Sequence, residues 1–130
     1  MKKRIMFISD AAIPDSTLAS LRDHDFEVSP AGPAVNLYDH LIAAPPDLLL
    51  LDYSDAEAAM KLLRKVRAAS EFNKTAILLV AEWGEGQATI GLSHGADAFE
   101  PKPIDATRLV AAIDRVLRPR LVMAAKASDE

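Results

Sequence analysis

Leu48-Leu49-Leu50-Leu51 runs without a polar interruption and stops on Asp52. A strand with one wet face alternates apolar and polar side chains. A short unbroken run is what a strand covered on both faces requires, and that environment is typical of a parallel sheet with helices on either side. The run therefore predicts a central strand, with a carboxylate placed where the strand leaves the sheet. Pro45-Pro46 just before it ends the preceding helical stretch, because proline has no N–H to give.

The rest of the chain repeats the same unit. Ile5-Met6-Phe7-Ile8 is a second apolar run, ended by Ser9-Asp10. Leu18 and Leu21 share a face of a short helix starting after Pro14, whose missing N–H is no loss at a helix start. Phe26 to Ser29 reads as a weaker strand, and Leu37, Leu41 and Ile42 have helical spacing. After Asp52, Asp55 is placed to cap a helix carrying Ala59, Leu62, Leu63 and Val66. Ala76 to Val80 is a fourth strand, and a helix from about Glu85 to His94 closes at Gly95, a residue suited to a left-handed C-cap. Ala98-Phe99 is the core of a short fifth strand. Asp105 precedes a helix carrying Leu109, Val110, Ile113, Val116 and Leu117, expected to stop before Pro119. Five β-α units with short connections predict an α/β fold: a parallel sheet with right-handed crossovers and helices on both faces. Residues 1–118 form the domain, and 119–130 read as a C-terminal tail or linker, in which Leu121-Val122-Met123 extend the last helix or pack loosely.

Composition narrows the function. The chain has 130 residues, half apolar and 26% charged, with a net charge of −4, and so has room for one real core. Lys61, Arg64, Lys65 and Arg67 fall on one helix face and Lys2-Lys3-Arg4 on the start, so no stripe points to nucleic acid. With no cysteine there is no disulfide, thiolate metal site or thiol nucleophile. The apolar runs are too short to cross a membrane, and the start lacks a secretory pattern, which together predict a cytoplasmic protein.

In an open parallel sheet, ligands bind beyond the carboxyl ends of the strands. That rule selects Ser9 and Asp10 after the first strand and Asp52, Tyr53 and Ser54 after the third. It selects Val80, Ala81 and Glu82 at the fourth strand's end, and Lys102 after the fifth. Two carboxylates with oxygen donors suit a hard divalent cation such as Mg²⁺, which keeps several waters and also takes phosphate oxygens. A carboxylate can act as a nucleophile toward phosphorus, and an ammonium offsets charge on phosphoryl oxygens.

The stretches RIMFISD, PDLLLLD and GADAFEPKPID resemble the receiver domain of bacterial response regulators. The separations agree, with 42 residues from Asp10 to Asp52 and 50 from Asp52 to Lys102, and the resemblance spans about residues 3–118. It implies a flavodoxin-like, doubly wound (βα)5 fold with strand order 2-1-3-4-5. It implies that Asp52 is the phosphoacceptor, that Lys102 pairs with the phosphoryl group, and that Asp10, Asp52 and the Ser54 carbonyl hold Mg²⁺. Val80 and Phe99 fall on the switch positions, and Lys102-Pro103 on a cis peptide. Implied partners are a sensor histidine kinase or phosphotransfer protein, a fused or separate effector, and a second copy through the fourth helix, fifth strand and fifth helix. The resemblance implies a signalling module of two-component systems, and no enzyme beyond self-phosphorylation and self-dephosphorylation on Asp52.

Three departures from the family pattern stand out. Ser9 replaces the first acid of the metal-binding pair, which removes a negative charge and weakens the cation site. Val80 replaces a Thr or Ser and has no hydroxyl to offer a phosphoryl oxygen. Asp55-Ala56-Glu57 lacks the usual Pro and Gly and is about one residue short. These departures support an alternative, a pseudo-receiver acting without phosphorylation as an interaction or dimerisation module.

Other residues have plainer readings. Phe99 is as well explained by the core as by switching, and Trp83 by packing on the helix after it. His24, His40 and His94 lack metal spacing and read as surface or capping residues, and Glu82 and Glu85 line a loop rim. Gly84 and Gly86 do not make a phosphate loop. Asp52-Tyr53-Ser54-Asp55 follows the third strand and lacks the D-x-D spacing of haloacid dehalogenase phosphatases. Ser9 to Pro14 lacks the phosphate loop of flavin-binding flavodoxins.

Overall fold

A computed structural model of the chain describes residues 3–10, 13–31, 41, 43, 45–69, 72, 74–82, 85–102 and 105–129. Side chains are described at these positions except 31, 85, 87, 88 and those beyond 117. The elements run β1 (Lys3–Ser9), α1 (Asp15–Asp23), β2 (Phe26–Ala31), β3 (Leu48–Asp52), α2 (Ala56–Ala68), β4 (Ala76–Ala81), α3 (Glu85–Ser93), β5 (Ala98–Pro101) and α4 (Ala106–Asp129). The helix expected across 37–42 lies outside the described residues apart from Leu41, which is helical and buried. Trp83, Gly84, His40 and the Lys102-Pro103 peptide also fall outside them.

All strand pairs are parallel, in the order β2-β1-β3-β4-β5. This is the doubly wound flavodoxin-like order expected, with β3 at the centre. The leucine run explains the layering. Leu48 and Leu50 belong to one buried cluster with Ile5, Phe7, Leu78, Leu109 and Ile113. Leu49 and Leu51 belong to the opposite cluster with Ile8, Leu63, Val66, Ile77 and Leu79. Neighbouring leucines point to opposite faces of the pleat, and each face finds its own cover.

Local chemistry sets the helix ends. Asp55 caps α2, its Oδ1 accepting from the amides of Glu57 at 3.0 Å and Ala58 at 3.3 Å. Pro14 stands at the cap of α1, whose buried residues are Leu18 and Leu21. Gly95 follows α3 with φ +116°, a conformation in which a Cβ is strained. There the Arg67 side chain packs tightly. Its Nε donates to Gly95 O at 2.8 Å, Nη1 to Phe72 O at 2.8 Å and Nη2 to Asp97 Oδ2 at 2.9 Å. Asp97 Oδ2 also accepts the Ile77 amide at 2.7 Å, so one arginine ties α2 and the end of α3 to the foot of β4.

One boundary differs from expectation. The final helix does not stop before Pro119 but continues to Asp129. A proline inside a helix removes one backbone hydrogen bond, and here that local loss does not end the helix. Both edge strands carry a proline, Pro30 in β2 and Pro101 in β5.

Candidate functional site

Register fixes the site. Ser9 is paired with Asp52 across β1–β3, Asp52 with Val80 across β3–β4, and Val80 with Glu100 across β4–β5. In-register residues of parallel strands point to the same face, so Ser9, Asp52, Val80 and Glu100 form one row at the carboxyl edge. Two backbone bonds hold the adjoining loops: Asp10 N donates to Asp52 O at 3.3 Å, and Lys102 N to Ala81 O at 3.0 Å. The structure thus brings together Asp10, Asp52 and Lys102, three residues far apart in the chain.

The two oxygens of Asp52 differ. Oδ1 is shut off from solvent, accepts no hydrogen bond among the described residues, and is ion-paired with the Lys102 ammonium. Oδ2 lies 3.5 Å from the Ser9 hydroxyl, at the outer limit of a hydrogen bond. The Asp52 side chain is 17% exposed and that of Lys102 30%. Since Oδ1 is closed, what the carboxylate shows to solvent lies on its Oδ2 side.

Asp10 is committed to the next loop. Its Oδ2 accepts from the Ser54 amide at 2.8 Å, the Ser54 hydroxyl at 2.8 Å and, weakly, the Asp55 amide at 3.4 Å. Slight burial, the largest single influence, pushes its carboxyl up, but the Ser54 hydroxyl and the Ser54 and Asp55 amides together hold it below the ordinary carboxylate value. Burial, and then the Asp10 charge, push the Tyr53 hydroxyl up. Ser54 meets Asp10 through its amide and hydroxyl, and the role expected of its carbonyl is a separate matter.

The donor set fits a hard cation that keeps most of its water. It is all oxygen, with two carboxylates at adjacent strand ends and one held ionised. Among the described residues no three His, Cys, Asp or Glu side chains come together as a metal group. Among the described residues, Asp10 and Asp52 are the carboxylates that would serve such an ion.

Val80 is buried in the cluster that α4 covers, while Phe99 is part-buried against the opposite cluster. The two positions expected to switch together thus face opposite sides of the sheet. The sequence reading misses Glu100, whose carboxylate pairs with Arg115 and, at 3.6 Å, with Arg108, joining β5 to α4. The available signal is the strand's alternation, which turns Glu100 toward the face that α4 packs on. His24 is an exposed residue at the end of α1, its Nδ1 2.8 Å from Ser20 O.

The order of strands is that of the receiver-domain fold, and acids follow β1 and end β3 while a lysine follows β5. The particular resemblances are to response regulators. The chain is 28% identical over 120 residues to response regulator MprA of Mycobacterium bovis, covering 91% of this chain and 52% of that protein. It thus spans about half the length of that relative. The chemotaxis response regulator CheY4 of Vibrio cholerae has the same fold, with a TM-score of 0.81 and 21% identity over 90% of this chain and all of that one. NtrX of Brucella abortus matches with a TM-score of 0.83 and 21% identity over all of this chain and 30% of that one. No family model matches the chain. Among the described residues no helix is long and apolar enough to cross a membrane.

Proposed function

We propose that this domain accepts a phosphoryl group on Asp52 from a phosphohistidine of a partner kinase or phosphotransfer protein, and signals through protein contacts. The observation that carries the reading is Asp52 itself: a carboxylate at the end of the central strand, paired on its buried oxygen with Lys102 and flanked by Asp10. In the transfer, a carboxylate oxygen attacks phosphorus and an O–P bond forms while the P–N bond breaks. The imidazole, protonated on its other nitrogen, leaves neutral with the electron pair. Lys102 offsets the phosphoryl charge. Asp10, Asp52 and the Ser54 carbonyl are the groups that would hold Mg²⁺, which would draw charge from the phosphoryl oxygens. The chain is then a stoichiometric acceptor in two-component signalling, with no substrate turned over beyond its own aspartyl phosphate.

The same reading places the output, fused or separate, on α3, β5 and α4, a surface also available to a second copy. Ile90 and Leu92 are exposed on α3 and support that assignment. A cytoplasmic setting follows from a kinase partner. A second reading, a pseudo-receiver working without phosphorylation, draws on Ser9 and on the apolar Val80 beside Asp52.

The deciding experiment incubates the protein with Mg²⁺ and phosphoramidate, reads ³¹P NMR and intact mass, and adds a beryllofluoride titration by NMR. An aspartyl phosphate on the wild type, absent in Asp52→Ala, supports the acceptor. No Mg²⁺-dependent product and no beryllofluoride response would leave the pseudo-receiver.

A further inference from the structure

We propose that the Ser9 hydroxyl donates to an oxygen of the phosphoryl group on Asp52, and so supplies from β1 the hydroxyl contact that Val80 cannot supply from β4. This inference rests on the acceptor reading above.

Ser9 and Val80 are the two register partners of Asp52, one on each neighbouring strand. Both point to the face that Asp52 points to, and both are nearly closed to solvent, at 4% and 3% exposure. Only one of them carries a polar atom. Val80 is apolar and packs in the core, whereas the Ser9 Oγ lies toward Asp52 at 3.5 Å from Oδ2. That distance is long for a hydroxyl and a carboxylate, and shorter hydrogen bonds are the rule where the acceptor is charged. The Ser9 hydroxyl thus stands beside Oδ2 at the outer limit of hydrogen-bond distance.

The accessible side of the carboxylate points the same way. Oδ1 is sealed and paired with Lys102, so a phosphorus approaching from solvent meets the Oδ2 side. The new bond joins that oxygen to phosphorus, and the phosphoryl oxygens then extend outward past the Ser9 hydroxyl, which can turn to donate to one of them. Lys102 contributes charge from the opposite side. Ser9 also adds no negative charge of its own. Asp10, Asp52 and Lys102 leave the pocket with a single net negative charge, which makes an incoming phosphoryl dianion less unwelcome than a third carboxylate would. The replacement at position 9 is then more than a lost metal ligand: it exchanges a cation-binding group for an anion-binding one.

The experiment titrates wild type, Ser9→Ala, Ser9→Thr and Ser9→Ala/Val80→Thr with beryllofluoride and Mg²⁺, followed by ¹⁹F NMR. Aspartyl-phosphate half-lives after phosphoramidate treatment are measured in parallel. Hydrogen bonds to charged groups predict that Ser9→Ala binds about 10-fold or more weakly than wild type. Ser9→Thr stays near wild type, and the double variant, with its hydroxyl returned on β4, recovers most of the loss. Ser9→Ala binding as tightly as wild type would overturn the assignment. So would a loss in Ser9→Ala that Ser9→Thr shares. Circular dichroism checks each fold, and Ser9→Cys, which keeps the shape with a weaker donor, replaces Ser9→Ala if that variant does not fold. A wild type that neither binds beryllofluoride nor forms an aspartyl phosphate refutes the acceptor reading and, with it, this contact. A wild type that does both while Ser9→Ala is unchanged refutes the contact alone.

Discussion

Replacing Lys102 by methionine isolates the ion pair on which the site is built. The stem keeps much of its apolar bulk, and the ammonium is removed from an Asp52 oxygen that is closed to solvent and has no other partner among the described residues. Leaving a buried acceptor unsatisfied costs about 1–3 kcal/mol, more when it is charged. The partial exposure of both side chains, 17% and 30%, moves the expectation to the lower part of that range, about 1–2 kcal/mol. Removing the cation also leaves Asp10 and Asp52 as carboxylates at adjacent strand ends whose repulsion Lys102 no longer offsets. With unfolding entropies of roughly 2.1 cal/mol/K per residue, a chain of 130 residues loses about 4 °C of Tm per kcal/mol. The expected fall is therefore about 4–8 °C by thermal melting at neutral pH and low salt. Part of it returns with Asp52→Asn, because the double variant carries no uncompensated charge on β3, and part returns with added salt, which screens the carboxylate repulsion. A Lys102→Met melt within about 1 °C of wild type, with additive single and double changes, would refute the claim that this pair holds the site together.

Three further outcomes follow from other parts of the chain. Gly95→Ala should destabilise by about 1–3 kcal/mol in urea titration, since residue 95 has φ +116° and the added Cβ would lie 2.5 Å from the Arg67 Cγ; an unchanged midpoint would show that the turn relaxes freely. Asp10 titrates below its ordinary value of 3.8 and so stabilises the fold above that pH, a contribution lost as pH falls through its lower folded value; Ser54→Ala should raise the Asp10 midpoint toward 3.8 in a ¹³C-detected carboxyl titration, and no movement would remove the hydroxyl as a cause. Ser9→Asp restores an acid beside Asp52 and should tighten Mg²⁺ binding about 10-fold by isothermal calorimetry, since cation affinity rises with the number of charged ligands; equal affinity would mean that the acid cannot reach the ion.

Much of the fold and of the site is legible in the order of residues alone. The unbroken leucines of β3 imply two covered faces, and the acids after β1 and β3 with the lysine after β5 follow from the rule about strand ends. Asp55 as a cap and Gly95 as a left-handed residue are legible because each is a local property of one or two backbone groups. Contacts made across strands are not. That Ser9 and Val80 flank Asp52 on one face depends on register, which a one-residue slip would reverse. The pairing of Glu100 with Arg108 and Arg115, and the binding of Arg67 to two separate loops, depend on which surfaces meet after folding. The end of α4 escapes the sequence for a related reason: Pro119 is a local stop signal, and a helix can continue past the loss of one hydrogen bond.

Pro30 in β2 and Pro101 in β5 bear on how this chain can assemble. A strand adding itself to either rim would meet a position with no amide proton to offer, which discourages the sheet from growing into a longer one. Self-association of concentrated protein by edge pairing is blunted at both rims. Under the acceptor reading, a companion molecule would then meet the helical faces or the loops around Asp52 rather than a sheet edge.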